Sequence, residues 1–371
     1  MNMKNLIICC LIICSLSESC RKKEEPEPIQ LKDDLPEFYN AAQSENWGLI
    51  PPEFKIIADN TSKIAIPQDL DFHPTRPNEV WIVNKGTENT GSTTVTITDV
   101  GGPNQKFIYK KDGNAWHFMS LTSALAFSEN GNWASSPNVL DANHSGGRYT
   151  GPALWSSDMA VYAEPSGGNG SHLDMVHQSP YCMGIAGEKQ NVFWVFDGYY
   201  NNIIRYDFAA DHGPGNDYHD DAKLRRFSEV KVKRDPLVPS HLVLDADKKW
   251  LYIIDGGNKR ILRMDITTGV VAANLPPVNE VLTEYVRMSD VTWEVFYDIG
   301  LQKPCGIDIN GNRLFVSDYA TGEILCIDIN AKKEIARINT GAVGITGLKI
   351  KGNRLWYVNA INNTLMTVIP K

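Results

Sequence analysis

The stretch 304-PCGIDINGNRLFVSDYATGEILCID-328 decides the fold. Apolar side chains alternate through 306–310, 314–318 and 323–328, with Gly, Asn, Asp and Thr between them. That is the pattern of three short strands joined by tight turns. The pattern recurs. The segments 197-DGYYNNIIRYD-207, 255-DGGNKRILRMD-265 and 318-DYATGEILCID-328 each open on an aspartate, run through a strand and close on a second aspartate ten residues later, and 359-NAINNTLMTVI-369 is a weaker copy. Before each lies a second strand (192-VFWVF-196, 251-LYIID-255, 314-LFVSD-318, 355-LWYVN-359). Before that lies a third (183-MGIA-186, 241-HLVLD-245, 306-GIDIN-310, 347-GLKIK-351). Two further units open at 67-PQDLDF-72 and 122-TSALAF-127. Six units therefore begin near residues 69, 124, 184, 241, 306 and 347, at spacings of 41 to 65.

A repeated antiparallel unit of this size is the signature of a β-propeller. The motif P-x-G-(I/L)-x-(I/V/L), followed by V-x-D and a closing aspartate, resembles the NHL-repeat family. It is clearest in 304–328 and in 239-PSHLVLDADKKWLYIIDGGNKRILRMD-265. The resemblance spans about residues 60–371 and implies an all-β, six-bladed β-propeller. This architecture hosts binders, scaffolds and enzymes alike. The last unit ends at Ile369 after its third strand. An N-terminal strand, 54-FKIIAD-59, is expected to close the last blade, because otherwise an edge stays unpaired.

The propeller is expected over 51–371. Residues 1–19, MNMKNLIICCLIICSLSES, carry one lysine, a short apolar run and small residues, the plan of a signal peptide. Cys20 follows. Together they resemble a bacterial lipoprotein signal, in which that cysteine is lipidated, although Ser17 stands where such signals carry leucine. The alternative is an ordinary cleaved signal followed by an unmodified cysteine. The run after Cys20, RKKEEPEPIQLKDD, cannot bury enough apolar surface to order itself, so residues 20–50 read as a lipidated cysteine and a flexible tether. A cysteine followed by basic and then acidic residues also resembles the surface-export signal of Bacteroidetes lipoproteins. That implies palmitate-type acylation, a membrane partner, the outer membrane and exposure at the cell surface. Of seven cysteines, only Cys182, Cys305 and Cys326 fall in the propeller, which argues against a disulfide scaffold. A net charge of −8 makes nucleic acid an unsuitable partner. No P-loop, Gly-x-Ser-x-Gly elbow, Cys-x-x-Cys pair or haem-attachment motif is present.

The segment 170-GSHLDMVHQSPYCMGIA-186 concentrates metal-binding side chains. Propeller topology puts His177 in the segment entering blade three and His241 at the start of the inner strand of blade four. Asp69, Cys182, Met183 and Cys305 ring the same channel mouth, and the 135–151 loop brings His144 and Arg148 towards it. His177 and His241, with His172 (or His117 or His144) as a third, would form a zinc or copper site. At fold level this resembles the peptidyl-hydroxyglycine amidating lyases, whose histidines near inner-strand starts hold a catalytic zinc. Only His241 and, more loosely, His177 match that pattern; the other openings carry Asp69, Ser123, Cys305 and Thr346. Arg148 and Tyr181 would position a substrate. The alternatives are a metal-free acid/base role, or that His241 hydrogen-bonds a neighbouring blade and His177 lies on a wet loop.

A second cluster, 207-DFAADHGPGNDYHDDAKLRR-226, offers Asp211, Asp217, Asp220 and Asp221 as calcium ligands, or is simply a solvated acidic loop. It is expected on the opposite face, a full ring height from His177. The aspartates Asp197, Asp255 and Asp318 read as turn residues. Trp116, Trp155, Tyr199 and Tyr200 could form a sugar-stacking platform. Residues 276–296 read as an insertion between blades four and five containing a short helix. Two functional readings follow. One is a binding module presenting its top face to a peptide, glycan or small molecule. The other is a metal-dependent lyase or hydrolase.

Overall fold

The structure, a computed structural model, describes residues 52–164, 168–352 and 354–369. The signal, Cys20 and the whole of the tether lie outside these. The described residues form six sheets. Blade five shows the unit: Pro304–Asn310, Arg313–Asp318, Glu323–Asp328 and Lys333–Asn339 in an antiparallel meander. Along the three inner strands of blade five nearly every side chain is buried on both faces, because each blade packs against two neighbours. The core accordingly divides into six clusters, one between each pair of adjacent blades. The cluster of Leu70, Ile82, Val358 and Leu365 joins blade one to blade six and so closes the ring. Closure is completed by Glu53–Ala58, which pairs antiparallel with Thr364–Ile369 as the outer strand of blade six. The N-terminal strand closes the last blade, as its sequence required.

The glycine of the repeat has a steric cause. A Cβ on Gly184 would lie 2.0 Å from the Ser240 carbonyl oxygen, and one on Gly306 2.4 Å from that of Thr346. Inner strands of adjacent blades approach closely here, and a side chain would force them apart. The repeat aspartates act as turn caps: Asp197 Oδ1 accepts from the Tyr199 and Tyr200 N–H groups at 2.9 and 2.8 Å, and Asp318 Oδ1 from Ala320 N–H at 3.0 Å.

Two departures from regularity build the site. Blade two is stunted: Leu125–Phe127, Trp133–Ser135 and Ala153–Trp155 have three residues each, and its outer strand, Asp174–Met175, has two. Blade three is widened. The insertion lies inside blade four, between its third strand, Arg260–Asp265, and its fourth, Trp293–Tyr297, rather than between blades four and five. Nor is it helical. It folds as a hairpin, Val270–Asn274 and Glu284–Ser289, whose second strand runs parallel to the outer strand of blade three, Lys223–Phe227. Its β-branched and aromatic residues favour strand, and the edge of blade three offers a ladder to join.

Candidate functional site

Stunting blade two leaves a hollow beside it, and loops from three directions fill the rim. The short helix Ala115–Phe118 carries Trp116, His117 and Phe118. Asp112 anchors it: Oδ1 accepts from Asn114 N–H at 2.8 Å, and Oδ2 accepts from Ser171 N–H at 2.8 Å and from its hydroxyl at 2.6 Å. That clamp ties the helix to the segment carrying His172. The loop after the third strand of blade three, residues 208–222, reaches across, and Gly215 N–H donates to the His172 carbonyl at 2.8 Å. The tip of the inserted hairpin comes from the other side. Val278 and Gln178 exchange two hydrogen bonds (2.9 and 3.0 Å), which sets Glu280 beside His177.

The result is a cavity of about 280 Å³ lined by Trp116, His117, Phe118, Tyr149, Asn169, His172, His177, Asp217 and His219, among others. Four of the eight histidines meet here. Aromatic faces hold two of them: Tyr149 stacks on His177 at 3.7 Å and Phe118 on His172 at 3.8 Å. Oxygen acceptors hold three by Nδ1: His172 to the Asn169 carbonyl (2.9 Å), His177 to Glu280 (3.1 Å) and His219 to Asp174 (2.6 Å). The buried atoms His117 Nδ1, His172 Nε2, His177 Nε2 and Asp174 Oδ2 have no hydrogen-bond partner. Burial drives His117 and His172 down to about 4, so both are neutral at pH 7. Burial also presses on His219, but the Asp174 carboxylate outweighs it and its pKa is raised.

The histidines sort differently from the expectation. His172 and His177 share the cavity, as anticipated, but His241 does not line it. From blade four it crosses the channel, with Nε2 3.1 Å from the Ser123 carbonyl of blade two and Nδ1 3.5 Å from Asp69 of blade one. Both ring nitrogens are engaged in closing the channel mouth. Burial lowers its pKa to about 4 and raises that of Asp69 to about 8. The channel-mouth site of His177, His241 and His172 is therefore not assembled. Arg148 and Tyr181 also stand apart from the cavity. Arg148 donates to Tyr200 Oη at 3.0 Å, and the Tyr181 ring lies 3.8 Å beneath Arg234.

The acidic loop is not a ring height away. It walls the cavity itself, because three-residue strands rise only about 10 Å and a long loop spans that easily. Its carboxylates do not converge on one cation. Asp217 accepts from Asn169 at 2.5 Å, Asp211 accepts from Gly213 N–H within its own turn, and Asp220 contributes its carbonyl to Thr283. Only Asp221 joins a ligand-like group: among the described residues, Asp174, His212 and Asp221 offer ligand atoms within 4.8 Å of one another. Of the proposed stacking platform, Trp155 is fully buried, while Trp116 stands at the cavity lip, 37% exposed.

Sequence did not single out Phe118, Tyr149, Asn169 or Glu280 as site members, and it left His219 in the acidic cluster without a role in this cavity. Glu280 contacts His177 across 103 positions, and no local pattern signals such a contact.

No protein-family model matches the chain, and no curated protein does. Solved structures match at the level of the fold. A luciferin-regenerating enzyme superposes with a TM-score of 0.55 at 13% identity, covering 86% of this chain and 95% of that one. An auxiliary nutrient binding protein from Bacteroides ovatus gives 0.52 at 14%, covering 83% and 70%. A catalytically inactive virginiamycin B lyase from Staphylococcus aureus with quinupristin gives 0.51 at 14%, covering 86% and 100%. The chain is a six-bladed β-propeller of the architecture these proteins share. No helix among the described residues is long and apolar enough to cross a membrane.

Proposed function

We propose that the protein is an exported, lipid-anchored binding module whose ligand enters the cavity beside blade two. One observation carries this reading: buried imidazole nitrogens on His117, His172 and His177 line a single cavity with no partner in the protein. Unpaired buried polar atoms are destabilising, and ligand binding is one way to satisfy them. The size of the cavity suits one sugar ring, one side chain or a small molecule rather than a folded partner. Trp116 at the lip offers a stacking face to the ligand. A solved neighbour described as an auxiliary nutrient binding protein is compatible with this reading, as is the resemblance of residues 1–34 to a surface-export signal.

The test is a calorimetric screen of oligosaccharides, short peptides and small metabolites against wild type, Trp116→Ala and His177→Gln. Ligand binding lost in both variants supports the cavity. Binding unchanged in both but lost in Tyr200→Ala would move the site to the neighbouring pocket of Arg148, Tyr200 and Arg226, and the reading fails. For the anchor, labelled palmitate should be incorporated into wild type and not into Cys20→Ala. The second reading, a metal-dependent lyase or hydrolase, is favoured by the four imidazoles, but with its centre in this cavity and not on the channel axis.

A further inference from the structure

The cavity histidines are oriented, and the orientation is specific. A carbonyl and two carboxylates can only accept, so the Nδ1 atoms of His172, His177 and His219 carry the hydrogens in their bonds to Asn169, Glu280 and Asp174. Each ring is thereby held in the tautomer that presents Nε2. An oxygen acceptor behind each imidazole is the arrangement that aligns histidine for metal ligation and raises its basicity. On His172 and His177 the presented Nε2 is buried and unpartnered. Ring centroids of His177 and His172 lie 6.1 and 6.5 Å from that of His219. Metal–nitrogen bonds of about 2.0–2.1 Å in a tetrahedral site place such centroids about 5 Å apart. The three rings are thus wider apart than a bound ion would hold them, and their ligand atoms are not within 4.8 Å of one another as those of Asp174, His212 and Asp221 are, so binding has to draw the rings inward.

We infer that His172, His177 and His219 bind one divalent transition-metal ion of the zinc class through Nε2, off the propeller axis and beside blade two. Imidazole donors select such an ion over calcium, which wants oxygen. His117, 5.6 Å from His177 between ring centroids, borders the remaining coordination position. That position faces the cavity, where a ligand oxygen or water would complete the shell. This inference rests on the cavity being the ligand site and names what the ligand meets there.

The experiment uses the full chain in detergent, stripped with chelator and titrated with Co²⁺ and Cu²⁺ as probes. The expected result is about one equivalent bound, with the absorption of four-coordinate Co²⁺ and nitrogen hyperfine structure from three imidazoles in the Cu²⁺ resonance spectrum. Affinity should fall at least about 100-fold in His172→Ala and His177→Ala. In Glu280→Gln, which touches no metal, it should fall about 10- to 100-fold. His241→Asn should bind as wild type. If the alanine variants misfold, the wild-type Cu²⁺ spectrum still decides, since a signal with one nitrogen or none overturns the assignment. So does the absence of stoichiometric binding. Binding that survives His177→Ala and is lost in Asp221→Asn would also overturn it, because the ion would then sit at Asp174, His212 and Asp221. Organic ligand binding at the cavity that is indifferent to chelator overturns the metal and leaves the cavity reading intact. Ligand binding indifferent to Trp116 and His177 defeats the cavity reading itself.

Discussion

Arg226 and Asp197 form a buried pair, with side chains 4% and 0% exposed, that reaches the cavity segment through Gln178. Arg226 donates to Asp197 at 2.7 Å, Asn202 at 2.8 Å, the Gln178 carbonyl at 2.7 Å and Tyr285 Oη at 3.0 Å, and lies 4.3 Å over the Tyr200 ring. The bond to Gln178 fixes the residue that follows His177. Removing one member of a buried pair strands the other charge and costs about 3–5 kcal/mol. Asp197→Ala also removes the acceptor for two turn N–H groups, worth about another 1 kcal/mol, so about 4–6 kcal/mol is expected. Asp197→Asn keeps the shape and the turn acceptor and should lose about 2–3 kcal/mol through the charge-assisted bond alone. Arg226→Met should lose about 3–5 kcal/mol. In the double variant Asp197→Asn/Arg226→Met no charge is left stranded, so the loss should fall short of the sum by about 2–3 kcal/mol. The assay is urea unfolding followed by tryptophan fluorescence. Single losses below about 1 kcal/mol, or strict additivity, would refute the argument that this buried pair braces the backbone beside His177, since domain stabilities of about 5–15 kcal/mol make larger losses easy to see.

Acid should destabilise the protein through His241. Its folded pKa of about 4 lies below the ordinary value near 6.5, so its contribution is complete above about 6.5 and is lost as pH falls towards 4. Between pH 7.5 and 5 that amounts to about 2 kcal/mol. Asp69, raised to about 8, acts in the opposite sense, so the reading is the difference between wild type and His241→Gln. A variant whose stability falls as steeply as wild type over that range contradicts the account. Gly184→Ala should lose about 2–4 kcal/mol in urea, because its Cβ would lie 2.0 Å from the Ser240 carbonyl oxygen; a neutral effect would mean the inner strands separate freely. Cys182, Cys305 and Cys326 are buried, and burial raises the Cys182 and Cys305 thiols. Peptide mapping should find all three unlabelled by iodoacetamide in native protein and labelled in denaturant, whereas native labelling would show the inner strands to be open.

The architecture was legible in the chain because its determinants are local. Period-two alternation marks strands within a few residues, an aspartate caps its own turn two or three residues on, and glycines such as Gly184 and Gly306 stand where inner strands come closest. Closure by Glu53–Ala58 was legible too, since a last unit ending after its third strand has an edge to satisfy. The site was legible only in part. His172 and His177 share a short segment and could be picked out together. Their orienting partner Glu280 lies 103 residues beyond His177. It arrives on a hairpin that left blade four to extend blade three, a choice between two available sheet edges that no local pattern expresses. His241 shows the converse: the sequence placed it correctly at the start of an inner strand, yet only the ring's diameter decided that its imidazole crosses the channel to Ser123 and Asp69. Repeats dictate which strands pair, because that is settled by neighbours along the chain. What the inserted loops bring together depends on how far each blade rises, and the two-residue outer strand of blade two made room for four imidazoles.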